Sequence, residues 1–172
     1  VPVHFAGQSC EMLKIHALSQ KYGFKIIEDA SHAVGGNYQT KKIGSCDFSE
    51  MTIFSFHPVK IVTTGEGGMI LTNSKMLYQK LIRLRTHGIS HDPNIISEED
   101  PKPWYYEQME LGLNYRITDI QATLGNSQLK RIDKFVEQRH LLAEHYNKEL
   151  EELPVELPWQ HSDCYSAYHL YV

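Results

Sequence analysis

A chain of 172 residues with 41% hydrophobic and 22% charged residues has the size and composition of one globular domain with a core of its own, which excludes a disordered chain. The formal net charge of −4 gives no electrostatic reason to expect nucleic acid or an anionic membrane as a partner, so any anion must be held by a local site. Cys10, Cys46 and Cys164 are odd in number and lack CxxC or Cys/His spacing, which points to a reducing compartment, the cytoplasm, rather than to a disulfide framework. No apolar run approaches the roughly 20 residues of a membrane span, and the N-terminus lacks the charged start and apolar core of a signal peptide.

From Ser9 to Tyr22 the apolar residues Met12, Leu13, Ile15, Leu18 and Tyr22 fall near helical spacing, with Ser9 as N-cap, Glu11 in the first turn and Gly23 as the stop. Phe24 to Ile27 reads as a short apolar strand running into Glu28-Asp29, and its position after a helix argues for a mostly parallel sheet flanked by helices. In such sheets functional groups lie beyond the carboxyl ends of the strands, which is where Asp29 falls. Gly35 to Gly44 reads as a small hairpin, and Met51 to Phe56 and Met69 to Thr72 as two buried strands.

Ser74 to His87 has the pattern of a helix with basic residues late in it and Gly88 after it. Ser90 to Met109 is acidic, Pro-punctuated and aperiodic around Trp104-Tyr105-Tyr106, a long loop of the kind that often carries function. Thr118 to Leu153 is helical, and Gly125 with a slipping phase divides it into two helices. Pro154 and Pro158 then bracket a hinge, so residues 1–152 are expected to form part of a large domain and 153–172 the start of a smaller C-terminal one. The chain opens on Val1-Pro2-Val3 and closes on Leu170-Tyr171-Val172, apolar and strand-like at both ends, which reads as a fragment of a longer protein.

The chemistry concentrates in Ser55-Phe56-His57-Pro58-Val59-Lys60-Ile61-Val62-Thr63-Thr64-Gly65-Glu66-Gly67-Gly68. A lysine set in an apolar, tightly turning neighbourhood after a strand suits condensation with an aldehyde, and the aldehyde most often held this way is pyridoxal 5'-phosphate (PLP). PLP also needs a phosphate cradle and a carboxylate on its ring nitrogen, for which Ser55 and Asp29 are the candidates. Each has a plainer reading: Asp29 as a turn cap, Lys60 as a snorkelling surface lysine, Ser55 as a strand-end cap. The glycines of Gly65 to Gly68 match neither GxxxxGK[ST] nor GxGxxG, so no nucleotide loop is read there. His87 and His91 have a metal-like spacing without a third ligand, and no metal site is expected. Trp104 to Tyr106 either stack on a substrate or anchor their loop, and His57 has no assigned role.

Glu28 to Ala33, Ser55 to Gly68, and Gly112-Leu113-Asn114-Tyr115-Arg116-Ile117-Thr118-Asp119-Ile120-Gln121-Ala122 together resemble the DegT/DnrJ/EryC1/StrS family of PLP-dependent sugar aminotransferases, in order and over nearly the whole chain. Within it, Ser-Phe-His-Pro-Val-Lys followed by Thr-Thr-Gly-Glu-Gly-Gly most resembles the UDP-4-keto-sugar aminotransferases of pseudaminic acid biosynthesis.

The resemblance implies an α/β fold, the central part of the large domain of a fold-type-I PLP enzyme. It also implies amino transfer from glutamate to a nucleotide-linked 4-keto-6-deoxy sugar. On the matching positions Lys60 would hold the cofactor and shuttle a proton, Asp29 face the ring nitrogen, His32 lie against the ring or its phenolic oxygen, and Ser55 reach the phosphate. Asn114 would reach the phosphate bound by a neighbouring subunit, which implies a homodimer with shared sites. Two rivals remain: a sugar dehydratase of the same fold, which would carry His where Lys60 stands, and a non-catalytic regulatory protein built on the same domain.

Overall fold

A computed structural model describes residues 1–172. In chain order it contains a 3-10 turn (Phe5–Gly7), α1 (Met12–Tyr22), β1 (Ile27–Asp29), β2 (Asn37–Tyr38), β3 (Lys41–Lys42), β4 (Met51–Ser55), β5 (Gly68–Leu71), α2 (Lys75–Leu84), β6 (Ile89–Ser90), β7 (Glu107–Gln108), α3 (Asp119–Leu129), α4 (Ile132–Leu150) and β8 (Cys164–Tyr165). The contacts divide into two units, Val1–Asn73 with Thr118–Val172, and Ser74–Ile117. No helix is long and apolar enough to cross a membrane.

The first unit is built on a sheet of order β1-β4-β5. β1 and β4 are parallel with Asp29 opposite Ile53, whereas β4 and β5 are antiparallel with Ser55 opposite Gly68, so the sheet is mixed. The reason lies in the connection: Phe56 to Gly67 contains no helix to carry the chain back across the sheet, and without such a crossover the next strand must return antiparallel. On its other side Asp29 is bridged in parallel to Val3, its N–H donating to Pro2 O at 2.9 Å and its carbonyl accepting from His4 N–H at 3.0 Å. Asp29 is thus held from both sides, by β4 on one and by the Val3 bridge on the other.

β1 lies further along the chain than the apolar run Phe24 to Ile27, because the Ile26 N–H is taken by the Glu50 carboxylate at 2.7 Å and the ladder opens only at Ile27. α1 likewise starts at Met12 with Glu11 at its cap rather than Ser9, whose hydroxyl donates instead to Cys10 O at 2.8 Å. Its end is as expected: Gly23, at φ 74°, closes the last turn onto Ser19 O. The hairpin forms from β2 and β3, and β8 adds to the free side of β2.

The main core joins Ala30, Ala33 and Val34 after β1, Phe54 and Phe56 at β4, Ile61 and Val62 from the following loop, and Val136 of α4. A smaller cluster of Met12, Ile26 and Tyr38 seats α1. Full burial of each large aliphatic side chain contributes about 1.5–3 kcal/mol, so Ile61 and Val62 give the loop after Lys60 an anchorage most surface loops lack. α3 begins in a reciprocal capping box between Thr118 and Gln121, and α3 and α4 are separate helices as the slipping phase predicts.

In the second unit α2 starts at the Ser74 cap, whose hydroxyl oxygen accepts from Leu77 N–H at 3.3 Å. The long loop after it is closed by the short antiparallel pair β6–β7. Gly88 sits at φ 70°, and a Cβ there would lie 1.8 Å from Glu110 O, so only glycine fits. Arg83 pairs with Glu110 at 3.0 Å, and Asn114 is bridged to Thr86. Trp104 is exposed, while the Tyr105 hydroxyl donates to Glu107 at 2.9 Å and anchors the loop.

Candidate active site

Glu28 and Asp29 are neighbours on β1 and so project to opposite faces of the sheet. Glu28 is buried and accepts from His4 Nε2–H at 2.7 Å, from Thr52 at 3.2 Å and from Ser49. Cys10 N–H donates to His4 Nδ1 at 3.1 Å, which leaves the ring proton on Nε2, where Glu28 receives it. This polar knot fixes the strand from behind.

In front, Asp29 Oδ1 accepts from Ser31 N–H at 3.0 Å. Hydrogen bonding from Ser31 holds the Asp29 carboxyl below its ordinary range against the opposing effect of burial, and the charges of His32 and Lys60 lower it further. His32, one turn on, is pushed the other way: burial and the Lys60 charge lower its pKa, with Asp29 opposing. The pair at neutral pH is therefore a carboxylate beside a neutral imidazole.

Lys60 sits on the loop between β4 and β5, and its position is set by the residues on its C-terminal side. Ile61 and Val62 are in the core; Thr63 N–H donates to Gln128 Oε1, and Gln128 Nε2 donates back to Thr63 O, both at 3.1 Å. Thr64 N–H donates to Phe56 O at 3.0 Å and Phe56 N–H to Gly67 O at 2.8 Å, closing the base of the loop. Gln121 of α3 adds a hydrogen bond to Glu66 O at 3.0 Å. Lys60 N–H donates to His57 O at 3.0 Å, and His57 N–H to Ser55 Oγ at 3.3 Å, so Ser55 and Lys60 are linked through His57. The ring of His57 lies 3.9 Å from the Glu66 carboxylate across the loop.

Asp29, His32, Ser55 and Lys60 are thus held within the first unit by β1, β4 and the loop they flank. Asn114 belongs to the second unit, where its backbone bridges Thr86. An open groove of about 230 Å³ lined by His16, Phe24, Phe48 and Glu50 lies at the amino ends of the same strands and contains none of these residues. Sequence reasoning missed His169 and Gln128. The His169 ring lies 4.4 Å from that of His32, and Gln128 clamps the lysine loop. Neither belongs to a local motif, and the only signal for His169 is a polar ring set between Tyr168 and Leu170.

The donor set suits PLP. An ε-amine on a core-anchored loop, a carboxylate held ionised, a neutral imidazole, and a serine whose oxygen already accepts, leaving its proton to donate, match an aldehyde, a ring nitrogen, a phenolic oxygen and a phosphate in turn.

The DegT/DnrJ/EryC1/StrS aminotransferase family matches the chain over residues 1–172. The chain is 43% identical over 150 residues to the UDP-4-amino-4,6-dideoxy-N-acetyl-beta-L-altrosamine transaminase of Campylobacter jejuni, covering 87% of this chain and 37% of that protein. It is 41% identical over 174 residues to the spore coat polysaccharide biosynthesis protein SpsC of Bacillus subtilis, covering 100% of this chain and 44% of that one. Among solved structures it superposes on Helicobacter pylori PseC, an aminotransferase involved in the biosynthesis of pseudoaminic acid, with a TM-score of 0.85 and 33% identity over 98% of this chain and 43% of that one. The chain therefore spans 37% to 44% of the length of these relatives.

Proposed function

Because the chain belongs to the DegT/DnrJ/EryC1/StrS aminotransferase family, we propose that it is the central part of a cytoplasmic, PLP-dependent enzyme that moves an amino group from glutamate to a nucleotide-linked 4-keto-6-deoxy sugar. What supports this reading is that Lys60 sits on a loop anchored by Ile61 and Val62, near enough to Asp29 and His32 for its charge to lower the pKa of both. The activities of the Campylobacter and Helicobacter relatives favour a UDP-linked sugar and pseudaminic acid biosynthesis.

Bound PLP supplies a protonated ring that absorbs the electrons left when the donor's α-proton departs. Asp29 would keep that ring nitrogen protonated, its backbone held by β4 and by the Val3 bridge where the charge is needed. Lys60 would hold the cofactor through its ε-amine and, when free, would take the proton from the donor's α-carbon. Ser55 donates to the phosphate and His32 to the phenolic oxygen. Asn114 reaches the phosphate bound by the other subunit of a homodimer. Residues 1–152 form part of the large domain and 153–172 lead into the smaller one.

The test is an assay of the full-length protein with glutamate against UDP- and dTDP-linked 4-keto-6-deoxy sugars. Amino-sugar formation with conversion of glutamate to 2-oxoglutarate supports the reading. PLP binding without turnover on any keto-sugar contradicts it.

A further inference from the structure

His32 is contacted by residues from both ends of the chain. Ala6 N–H donates to its Nδ1 at 3.3 Å. The Phe5 ring lies 5.7 Å from it at 50°, and the His169 ring 4.4 Å from it at 46°. A backbone N–H can only donate, so Nδ1 of His32 is the lone-pair nitrogen and the proton of the neutral ring is on Nε2.

That arrangement is held at some conformational cost. Ala6 adopts φ 57°, uncommon for a residue with a Cβ, and its carbonyl accepts from Leu170 N–H at 3.2 Å. Gly7, at φ 111°, accepts from Ala167 N–H at 2.9 Å, and a Cβ on it would lie 2.6 Å from Tyr168 N. The 3-10 turn is therefore pressed backbone to backbone against the segment that carries His169. Arg139 of α4 fixes that segment in turn, its guanidinium donating to Tyr168 O at 3.0 Å and to His169 O at 3.3 Å.

His169 itself is 9% exposed, and its Nδ1 has no hydrogen-bond partner. Burial, with the charges of His32, Lys60 and Arg139, pushes its pKa down to about 4, so at neutral pH it is an uncharged ring against His32.

We propose that His169 is a positioning residue that, together with Ala6, holds His32 as the neutral Nε2–H tautomer, so that His32 offers one fixed donor to an anionic oxygen of the ligand bound by Asp29 and Lys60. The charged groups facing the two rings are Asp29 on β1, Lys60 on the loop after β4, and Arg139 on α4; Asp29 favours an imidazolium at His32 and Lys60 disfavours it. The His169 ring excludes water from His32 and so supports the neutral form without adding charge. The identity of the oxygen rests on the proposed function; the tautomer does not.

The test uses the full-length protein without cofactor, labelled with ¹⁵N-histidine, in which long-range ¹H–¹⁵N spectra identify the protonated nitrogen of each ring and His32→Gln assigns the His32 signals. Wild-type His32 should show Nε2–H and unprotonated Nδ1, and should charge only below the ordinary histidine value of about 6.5. His169→Ala should raise the His32 midpoint by roughly one unit while the Ala6 N–H keeps the Nε2–H tautomer, whereas His169→Phe should keep both as in the wild type. A wild-type His32 protonated on Nδ1 overturns the proposal, as does a folded His169→Ala protein with an unchanged midpoint. If His169→Ala does not fold, the wild-type and His169→Phe spectra decide, and a switched tautomer in His169→Phe also overturns it. The spectra need neither cofactor nor substrate, so a failed transamination assay leaves this result standing, and the reverse holds too.

Discussion

Thr63 and Gln128 exchange two hydrogen bonds, Thr63 N–H to Gln128 Oε1 and Gln128 Nε2 to Thr63 O, so a backbone unit three residues past Lys60 is paired with an α3 side chain as though with another strand. Gln128→Leu keeps much of the volume and leaves both backbone groups without a partner, which should cost about 1–3 kcal/mol. Because the loss falls on the lysine loop, PLP affinity of the full-length protein should drop about tenfold, equivalent to 1.4 kcal/mol. A titration of the variant that matches wild type would show that Ile61 and Val62 fix the loop unaided.

Gly125 faces the same loop from α3. A Cβ there would lie 2.9 Å from Thr64 Cγ2, and Thr64 is itself tied down by its N–H to Phe56 O and its hydroxyl to Glu66 O at 2.7 Å. In an unhindered helix Gly→Ala stabilises by about 1 kcal/mol. Here Gly125→Ala should lower the melting temperature of the full-length protein instead, since Thr64 has no room to withdraw. A raised melting temperature would mean that the loop shifts at no cost.

The Glu28 knot makes stability depend on acid. Burial alone raises the Glu28 pKa, but hydrogen bonds from His4, Ser49 and Thr52 outweigh it and bring the carboxyl below its ordinary 4.5. A carboxyl depressed in the folded state contributes stability that is complete above 4.5 and is lost as the pH falls from there through the folded value. Melting temperatures of the full-length protein followed across that window should fall more steeply for wild type than for Glu28→Gln. Glu28→Ala, which strands the buried donors, should cost about 3 kcal/mol even at neutral pH. Parallel acid limbs for wild type and Glu28→Gln would remove Glu28 from the linkage.

The local part of the fold was legible: Asp29 ends a strand, and Ser55 and Lys60 flank a turn whose glycines and proline mark it, so residue type and spacing placed them at strand ends and on a loop, while the roles proposed for them came from the resemblance. That the second half forms two helices was legible from the slipping phase, but the break falls at Lys130-Arg131, and Gly125 lies inside α3, where it makes room for Thr64. Features that depend on distant partners were not: β1 is displaced because Glu50 captures the Ile26 N–H, and Ser9 loses its cap role to Cys10 O. The mixed sheet results from a helix-free connection that carries the lysine. His57, left without a role by its sequence, proves to link Ser55 to Lys60 through its backbone. His169 is the clearest case, since its contact with His32 joins segments at opposite ends of the chain and no motif records it.

Lys60 as the cofactor-holding amine is the claim on which the rest depends. The direct measurement is borohydride reduction of the full-length protein loaded with PLP, followed by proteolysis and mass spectrometry of the labelled peptide. The covalent pyridoxyl group should map to Lys60, and Lys60→Ala should abolish the label while the melting curve stays cooperative. A label on any other lysine of the wild-type protein, or an undiminished label in Lys60→Ala, contradicts it.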